Sequence, residues 1–342
     1  MAIRSCLRGS RLSWVLRTNQ LSRHLTDLSS SVVPKPTLSV VWEDANYFMV
    51  DKPAGAVVAG EAKGVTSFHD LVKSHAAQHN FEHPNLLHRL DKGTSGLMVF
   101  PKTTAAAKHF LKLQEQEGAI AKEYLAVVAG ELPSQEGEIK GNIIRSKDKL
   151  TFTVVQNPKS GKPVHTFYRR LQSAASAAIE APSSTAPKQV DENFTQSKAQ
   201  PKHSIFSGVA MRLNTGRKHQ LRASLRTLGC SILGDKRYGG PKFNASKYGG
   251  VANSTAIGSG KRTEEMLLHA HRISFEGPVL EKGVPAVRYD VACAPPQSWG
   301  RLAELVASEG GELEAWRYKL DEEAARLGKR LPPVRPADSV IA

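Results

Sequence analysis

The sequence predicts an α+β fold built on a mainly antiparallel sheet. Strand-like and helix-like segments are interleaved, but without the strict βαβ rhythm of a doubly wound sheet. Several strand pairs are separated only by short turns, and connections that short join antiparallel neighbours. The chain has 342 residues, of which 40% are hydrophobic, so it can form one large domain or two modest ones.

The folded part is predicted to begin near Leu38 with two short strands, and the second of these ends at Pro53. A helix follows over residues 67–79, with Thr66 or Ser67 as its N-cap. The later elements, predicted from apolar periodicity, are a buried strand at 97–102, a helix at 103–118, an interior strand at 120–132, an alternating strand at 209–216, a helix at 216–229 and a last strand at 266–276.

Two stretches interrupt this pattern, and both are predicted to be flexible surface insertions in one domain. Residues 172–203 are rich in Ala, Ser, Pro and Gln, and residues 240–265 are rich in Gly, Ser and Asn. Strand-like segments resume after each, so neither is a domain boundary. The predicted domain therefore covers residues 38–295, followed by a charged, helical extension and tail over 296–342.

Charge and cysteine content narrow the function classes. The formal net charge is +15, a balance that favours polyanionic partners such as RNA. The three cysteines lie far apart and form no CxxC pair, which argues against a zinc ribbon or a disulfide framework. No run reaches the roughly 18–20 apolar residues of a membrane span, so a soluble protein without membrane attachment is expected.

Residues 1–36 have the composition of an organelle transit peptide. Their first 31 residues contain five arginines and many serines but one acid, Asp27, and the arginines interrupt any secretory apolar stretch. Mitochondrial import is the leading hypothesis. A plastid is the main alternative, and a cytoplasmic protein with an uncleaved basic tail remains open.

The stretch HRLDKGTSG places one carboxylate, Asp91, among His88, Arg89 and Lys92. Taken alone, these residues fit a surface turn as well as a catalytic carboxylate held by cations. Other candidate sites are weaker: GSGKRT lacks the first glycine of a phosphate-binding loop, and the helical histidines have no acid at ligand spacing, so no metal is expected.

Five stretches together resemble the RluA-type pseudouridine synthases, which isomerise uridine in RNA. They match in the family's order and cover most of residues 38–295. They are NYFMVDKPAGAVV, NLLHRLDKGTSGLMVFPK, AKEYLAVVAGEL, LNTGRKHQLRASLRTLGCSILGDKRYGG and LLHAHRISFEGP. The resemblance implies an isomerase with a central cleft that acts on ribosomal or transfer RNA as a monomer, without cofactor or metal.

The resemblance also implies a role for each site residue. Asp91 is the nucleophile, and Arg222 is its ion-pair partner. Tyr124 stacks on the target uracil, and handling of the C5 proton is a second possible task. Arg89 helps fill the space that the flipped base vacates. With Arg89, the expected substrate-binding residues are His88, His219 and Leu221, and Lys122 is a supporting residue at the cleft edge.

Periodicity alone favours other assignments, and these remain alternatives. Lys218, Arg222 and Arg226 share one helical face, as a solvated basic face would, and Tyr124 fits a core aromatic. Ser224 stands where many relatives have His, which makes substrate choice harder to transfer. The rival hypothesis is a catalytically idle RNA-binding or assembly protein that retains the fold.

Overall fold

The computed structural model describes residues 38–60, 66–82, 84–147, 149–157, 159–179, 205–251, 265–279, 286–307 and 311–327. The strands are Ser39–Glu43 (β1), Tyr47–Lys52 (β2), Ser95–Pro101 (β3), Ala121–Ala129 (β4), Glu136–Arg145 (β5), Phe152–Val155 (β6), Lys162–Ala175 (β7), Ile205–Leu213 (β8), Ser231–Ile232 (β9), Leu268–Glu276 (β10) and Arg288–Ala292 (β11). The α-helices are Phe68–Gln78 (α1), Thr104–Glu115 (α2), Ser176–Ile179 (α3), Gln220–Thr227 (α4) and Glu312–Arg326 (α5), with 3₁₀ helices at Lys236–Tyr238, Ala245–Tyr248 and Gln297–Val306.

One mixed sheet contains the strands in the order β1-β2-β3-β10-β4-β8-β7-β5-β6, with β11 beside β10 and β9 beside β4. Among these pairs, only β3 and β10 run parallel. The prediction of an α+β fold with a mainly antiparallel sheet is therefore confirmed. Helix α1 begins at the predicted Ser67, whose side chain and Asp70 form a capping box. None of the helices among the described residues is both long and apolar enough to cross a bilayer.

The alternation of side chains along β4 divides the core into two faces. Tyr124, Ala126 and Val128 pack with residues of α1 and α4 on what we call the front face. Leu125 and Val127 point the other way and pack against the C-terminal segment. Helix α2 covers the same back face over β2 and β3. The front face, under α4, is the one that carries the candidate catalytic residues.

The C-terminal segment belongs to the core of the domain, so the predicted domain end at residue 295 is wrong. Trp299, Leu302 and Trp316 are buried against β4 and β8. The contact is close: a Cβ on Gly208 of β8 would lie 1.8 Å from the carbonyl oxygen of Leu305. The high charge of this stretch hid its packing against the sheet, because its few apolar residues are spread between arginines and glutamates.

The two predicted insertions begin later than the sequence suggested. Residues 172–175 continue β7, which pairs with β8, and α3 follows directly. Residues 240–251 pack on the domain, where the ring of Tyr248 is buried. Small and polar residues hid these contacts, since they give no apolar period. The remainder, 180–203 and 252–264, lies outside the described residues.

A buried ion network holds α5 against the strand that carries Tyr124. Glu123 accepts hydrogen bonds from Arg212 Nε (3.1 Å) and Arg317 Nε (2.6 Å), and Arg212 also donates to Asp321 of α5 (2.5 Å). Burial alone would raise the pKa of Glu123, but the two guanidiniums outweigh it and lower this pKa to about 2. The charged form of Glu123 therefore stabilises the folded state.

Replacing Glu123 by Gln is expected to lower the free energy of unfolding by about 3–5 kcal/mol at pH 7, because two buried arginines lose their shared carboxylate. The folded-state pKa of Glu123 lies below its unfolded value. The contribution is thus fully present above about pH 4.5 and is lost as the pH falls toward 2.

Urea unfolding of the unaltered protein and the Glu123→Gln variant, from pH 7 to pH 3, measures the difference in their free energies of unfolding. This difference should become smaller below pH 4.5. Glu136→Gln, which weakens surface ion pairs with Lys319 and Arg169, is the control and should cost under about 1 kcal/mol. A difference that is independent of pH would contradict this account.

Candidate active site

Asp91 and Arg222 meet on the front face although 131 residues separate them. Arg222 Nη1 donates to Asp91 Oδ2 at 2.8 Å, a charge-assisted hydrogen bond. The Asp91 side chain is 29% exposed and that of Arg222 is 9% exposed. Among the described residues, no group donates to the other oxygen of Asp91. The carboxylate is thus fixed by one oxygen and open to a substrate through the other.

A second carboxylate, Asp235, fixes Arg222 from the opposite side. Arg222 Nε and Nη2 donate to the two oxygens of Asp235 at 2.7 and 2.8 Å, and the guanidinium lies 4.7 Å from the ring centre of Tyr238. Burial alone would lower the pKa of Arg222. The carboxylates of Asp235 and Asp91 outweigh burial, so the pKa of Arg222 is raised. Sequence reasoning missed Asp235. The only available signal was its place in GDKRYGG, at the end of the stretch that resembles the arginine motif.

Tyr124 forms part of the floor of the site. Its side chain is 9% exposed and packs in the front-face cluster with Leu90 and Leu221. Burial, and then the charge of Asp91, raise the pKa of the Tyr124 phenol. The phenol is therefore neutral at physiological pH, which suits an apolar stacking surface and leaves it a poor base on its own.

His219 borders the same carboxylate. Its backbone is left-handed (φ 57°) at the start of α4, and its Nε2 lies 3.7 Å from Asp91 Oδ2. Its Nδ1 is 3.0 Å from the hydroxyl of Tyr238. Burial and the neighbouring cations lower the pKa of His219 to about 4, although Asp91 opposes this. A neutral His219 contacts the site without adding a charge to it.

Arg89 and Leu221 lie near the site in the structure, whereas the His88 side chain is held in the interior of the domain. Arg89 is exposed, and Leu221 is buried beside Tyr124. His88 Nε2 accepts a hydrogen bond from the backbone N–H of Val99 (3.0 Å), and its ring stacks on Phe110 of α2. Burial lowers the pKa of His88 to about 3. This position gives His88 a structural role, which differs from the expected contact with substrate.

The glycine that ends the HRLDKGTSG stretch serves the sheet. Gly96 has φ 110°, and a Cβ there would lie 2.4 Å from the backbone oxygen of Ala270. Only glycine permits the close approach of β3 and β10 at this point. This contact fixes the start of β3, directly after the loop that carries Asp91, against β10.

Lys52 is a second residue that sequence reasoning missed. It is fully buried at the end of β2, and its Nζ donates to the carbonyls of Pro53 (2.9 Å), Ala56 (3.0 Å) and Lys92 (3.4 Å). Burial lowers its pKa to about 7, although Asp51 and Asp91 oppose the change. Lys52 ties the loop after β2 to the loop that carries Asp91. The available signal was an Asp-Lys pair closing a strand whose other residues are apolar or aromatic.

An open carboxylate, a cation that holds it and a neutral aromatic floor are the features expected of an enzyme that uses an aspartate as its nucleophile. In the described part of the chain, no three His, Cys, Asp or Glu side chains are grouped so as to hold a metal ion. Exposed basic residues adjoin the site residues along the chain: Arg89 and Lys92 flank Asp91, and Lys218 precedes His219. Such a site suits a polyanionic substrate.

Comparisons with known proteins agree with this class. Residues 46–227 match the RNA pseudouridylate synthase family. Ribosomal large subunit pseudouridine synthase C of Rickettsia bellii is 30% identical over 76% of this chain and 71% of the relative. The tRNA pseudouridine synthase C of Haemophilus ducreyi is 29% identical over 70% of this chain and 86% of the relative. The solved structure of human RNA pseudouridylate synthase domain containing 4 aligns with a TM-score of 0.51 at 23% identity, over 77% of this chain and 92% of that one, and shows the fold. The chain therefore belongs to the RNA pseudouridylate synthase family, in its RluA-type branch.

Proposed function

We propose that this protein isomerises specific uridines of ribosomal or transfer RNA to pseudouridine, with Asp91 as the nucleophile. The observation that carries the proposal is the Asp91 carboxylate, held through one oxygen by Arg222 and open through the other. The names of the relatives, which act on ribosomal and transfer RNA, support the substrate class. The net charge of +15 supports a polyanionic partner. We expect the protein to act as a monomer.

The reaction needs no redox change and no group donor. The bond from C1′ to N1 breaks, the uracil turns within the site, and C5 joins C1′. The hydrogen on C5 then leaves to solvent as a proton, and N1 takes up a proton, so the product is an isomer of the substrate. Asp91 either attacks C1′ or assists elimination to a glycal-like intermediate. Arg222 orients the carboxylate in both cases, and Tyr124 supports the uracil by stacking.

The target nucleotide must leave its helix to reach Asp91, at a cost of a few kcal/mol in stacking and pairing. Arg89 is exposed two residues before Asp91, so its guanidinium can occupy the vacated space. A planar cation is suited to this role because it stacks on neighbouring bases. His219, neutral and fixed by Tyr238, borders the flipped nucleotide in this arrangement.

Tritium release tests the proposed reaction directly. RNA tritiated at C5 of uridine is extracted from organelles that lack this gene and is incubated with protein lacking residues 1–36. The enzyme should release tritium to water in proportion to the pseudouridine formed, and sequencing of the product RNA then maps the site. RNA binding without release would favour the catalytically idle alternative.

We also propose that residues 1–36, which lie outside the described residues, direct the protein to mitochondria. The support is their composition of arginine and serine with one acid. Residues 1–36 fused to a fluorescent protein should enter mitochondria and be cleaved. A control fusion with Arg4, Arg8 and Arg11 replaced by Gln should remain outside, because import depends on the positive face. Plastid or cytoplasmic fluorescence of the unaltered fusion would contradict the proposal.

A further inference from the structure

The ring of His219 is fixed between two aromatic side chains beside the Asp91 carboxylate. Phe152 and Tyr238 meet it edge to face, with ring-centre distances of 5.5 and 5.7 Å and interplanar angles of 84° and 82°. Its Nε2 lies 3.7 Å from Asp91 Oδ2, and its Nδ1 lies 3.0 Å from the Tyr238 hydroxyl. One ring nitrogen therefore faces the site and the other faces Tyr238.

The backbone of His219 is also held in one conformation. With φ 57° and ψ 17° it is left-handed, and its carbonyl accepts a hydrogen bond from the N–H of Ala223 (2.9 Å) in the first turn of α4. Residues other than glycine seldom adopt this conformation, and those that do are concentrated at functional sites. The strained backbone aims the ring at Asp91.

The hydrogen bonds of Tyr238 determine which nitrogen of His219 carries the hydrogen. The buried Tyr238 hydroxyl accepts from the backbone N–H of Phe152 at 2.9 Å. Burial raises the pKa of Tyr238, so the phenol keeps its own hydrogen at physiological pH. Among the described residues, His219 Nδ1 is the other hydrogen-bond partner of this hydroxyl, and a buried O–H requires an acceptor. Tyr238 therefore donates to Nδ1.

The hydrogen of the His219 ring is consequently on Nε2, the nitrogen next to Asp91. Burial lowers the pKa of His219 to about 4, so the ring is neutral at physiological pH and carries a single hydrogen. The distance of 3.7 Å from Nε2 to Asp91 Oδ2 is too long for a hydrogen bond. In the described part of the chain, Nε2 has no closer acceptor. His219 thus offers an unused N–H donor at the site.

The proposed reaction creates an acceptor for this donor. When the C1′–N1 bond breaks, its electron pair stays with the uracil, and the negative charge spreads over N1 and the carbonyl oxygens until C5 joins C1′. A fixed N–H that faces this charge stabilises the detached anion more than the neutral nucleotide. The hydrogen is shared in the bond and is not transferred, so His219 is unchanged after the reaction.

We infer that His219, held by Tyr238 with its hydrogen on Nε2, donates a hydrogen bond to a carbonyl oxygen of the uracil while the base is detached from C1′. His219 is then a catalytic residue, and Tyr238 is a positioning residue that acts through it. The inference rests on the proposed function, because it concerns the base that reacts at the same site.

Nuclear magnetic resonance of the free protein tests the position of the hydrogen without any reaction. The full chain is labelled with ¹⁵N-histidine, and the signals of His219 are those that the His219→Asn variant lacks. Two-bond ¹H–¹⁵N spectra at pH 7 should show the hydrogen on Nε2 and a bare Nδ1. Tyr238→Phe should produce a mixture of the two forms. A hydrogen on Nδ1 of the unaltered protein, alone or with one on Nε2, would overturn the inference.

Two substitutions of His219 separate the donor from the contact with Tyr238. The Asn amide reaches only the position of Nδ1, whereas the Gln amide reaches that of Nε2 and can supply an N–H there. In tritium release, His219→Asn should lower kcat roughly tenfold to thirtyfold at unchanged KM, because uracil spreads its charge over several atoms and one donor covers part of it. His219→Gln should recover most of this loss. The control His109→Asn alters a histidine that contacts the carbonyl of Glu276 on the back face, and it should keep full activity.

The role of Tyr238 is tested by combining variants. Tyr238→Phe should lower kcat severalfold in the unaltered background but leave it unchanged in the His219→Gln background, because an amide has no tautomer to select. An equal loss in both backgrounds would reflect a general effect on the fold and would overturn the inference. Failure of His219→Gln to recover activity would do the same, as would a rise in KM at unchanged kcat in His219→Asn. If the unaltered protein released no tritium, the proposed function would fail, while the spectra would still report the hydrogen on His219.

Discussion

Asp91→Asn should reduce tritium release by at least about a thousandfold while folding and RNA binding remain intact. The amide has nearly the shape of the carboxylate. In the unaltered protein Arg222 donates to Asp91 at 2.8 Å, and the amide oxygen of the variant can still accept this hydrogen bond. It lacks the negative charge and the nucleophilicity that bond formation at C1′ requires. The loss should therefore appear in kcat, with the affinity for RNA unchanged or slightly higher, since a negative charge beside the phosphates is removed.

Asp290→Asn is the matched control for this prediction. Asp290 is a partly exposed carboxylate that is also held by an arginine, Arg272 of β10. It should keep near-normal tritium release. Single-turnover measurements with enzyme in excess over RNA separate the chemical step from product release. Substantial single-turnover release by Asp91→Asn would remove Asp91 as the nucleophile.

Local patterns in the sequence predicted the elements of the fold because each pattern has a local cause. The Ser67 cap fixes the start of α1, and the nearly continuous apolar run in β4 follows from a strand buried on both faces. Helix α2 ends at Glu115, short of the predicted Gly118, since the chain leaves the helical conformation at Gln116. Errors of this size arise where the last helical turn has no distinctive residue.

The candidate site depended on contacts that local patterns do not contain. Periodicity placed Arg222 on a solvated face with Lys218 and Arg226, and both of those residues are exposed. Arg222 differs because the loops carrying Asp91 and Asp235 fold over it. Only the resemblance to a family predicted the first partner, and nothing predicted the second. The ion network between β4 and α5 was not predicted either, because its partners are far apart in the sequence. The charges of α5 fit a solvated helix equally well.

Arg222→Lys should lower kcat/KM by about a hundredfold, although the positive charge is kept. In the unaltered protein one guanidinium donates to Asp91 and twice to Asp235, and it lies 4.7 Å from the ring centre of Tyr238. An ammonium is a compact charge without this planar fork, so it cannot make all of these contacts at once. Asp91 then loses its fixed orientation, and the decrease should lie in kcat. Arg169→Lys is the control, because Arg169 also bridges two carboxylates, Glu136 and Glu312, and these are partly or fully exposed and lie outside the site.

The part played by Asp235 follows from the same geometry and can be measured separately. Asp235 contacts Arg222 and the backbone of Tyr238, so its effect on the reaction must pass through Arg222. Asp235→Asn alone should lower kcat and leave KM unchanged, because the guanidinium loses the partner that aims it at Asp91. In the Arg222→Lys background the same substitution should add little, since coupled residues are not additive. Full additivity of the two losses would mean that Asp235 acts on the reaction independently of Arg222. Non-additive losses, with equal urea midpoints for the two single variants, would establish that the buried carboxylate of Asp235 orients the carboxylate of Asp91 through Arg222.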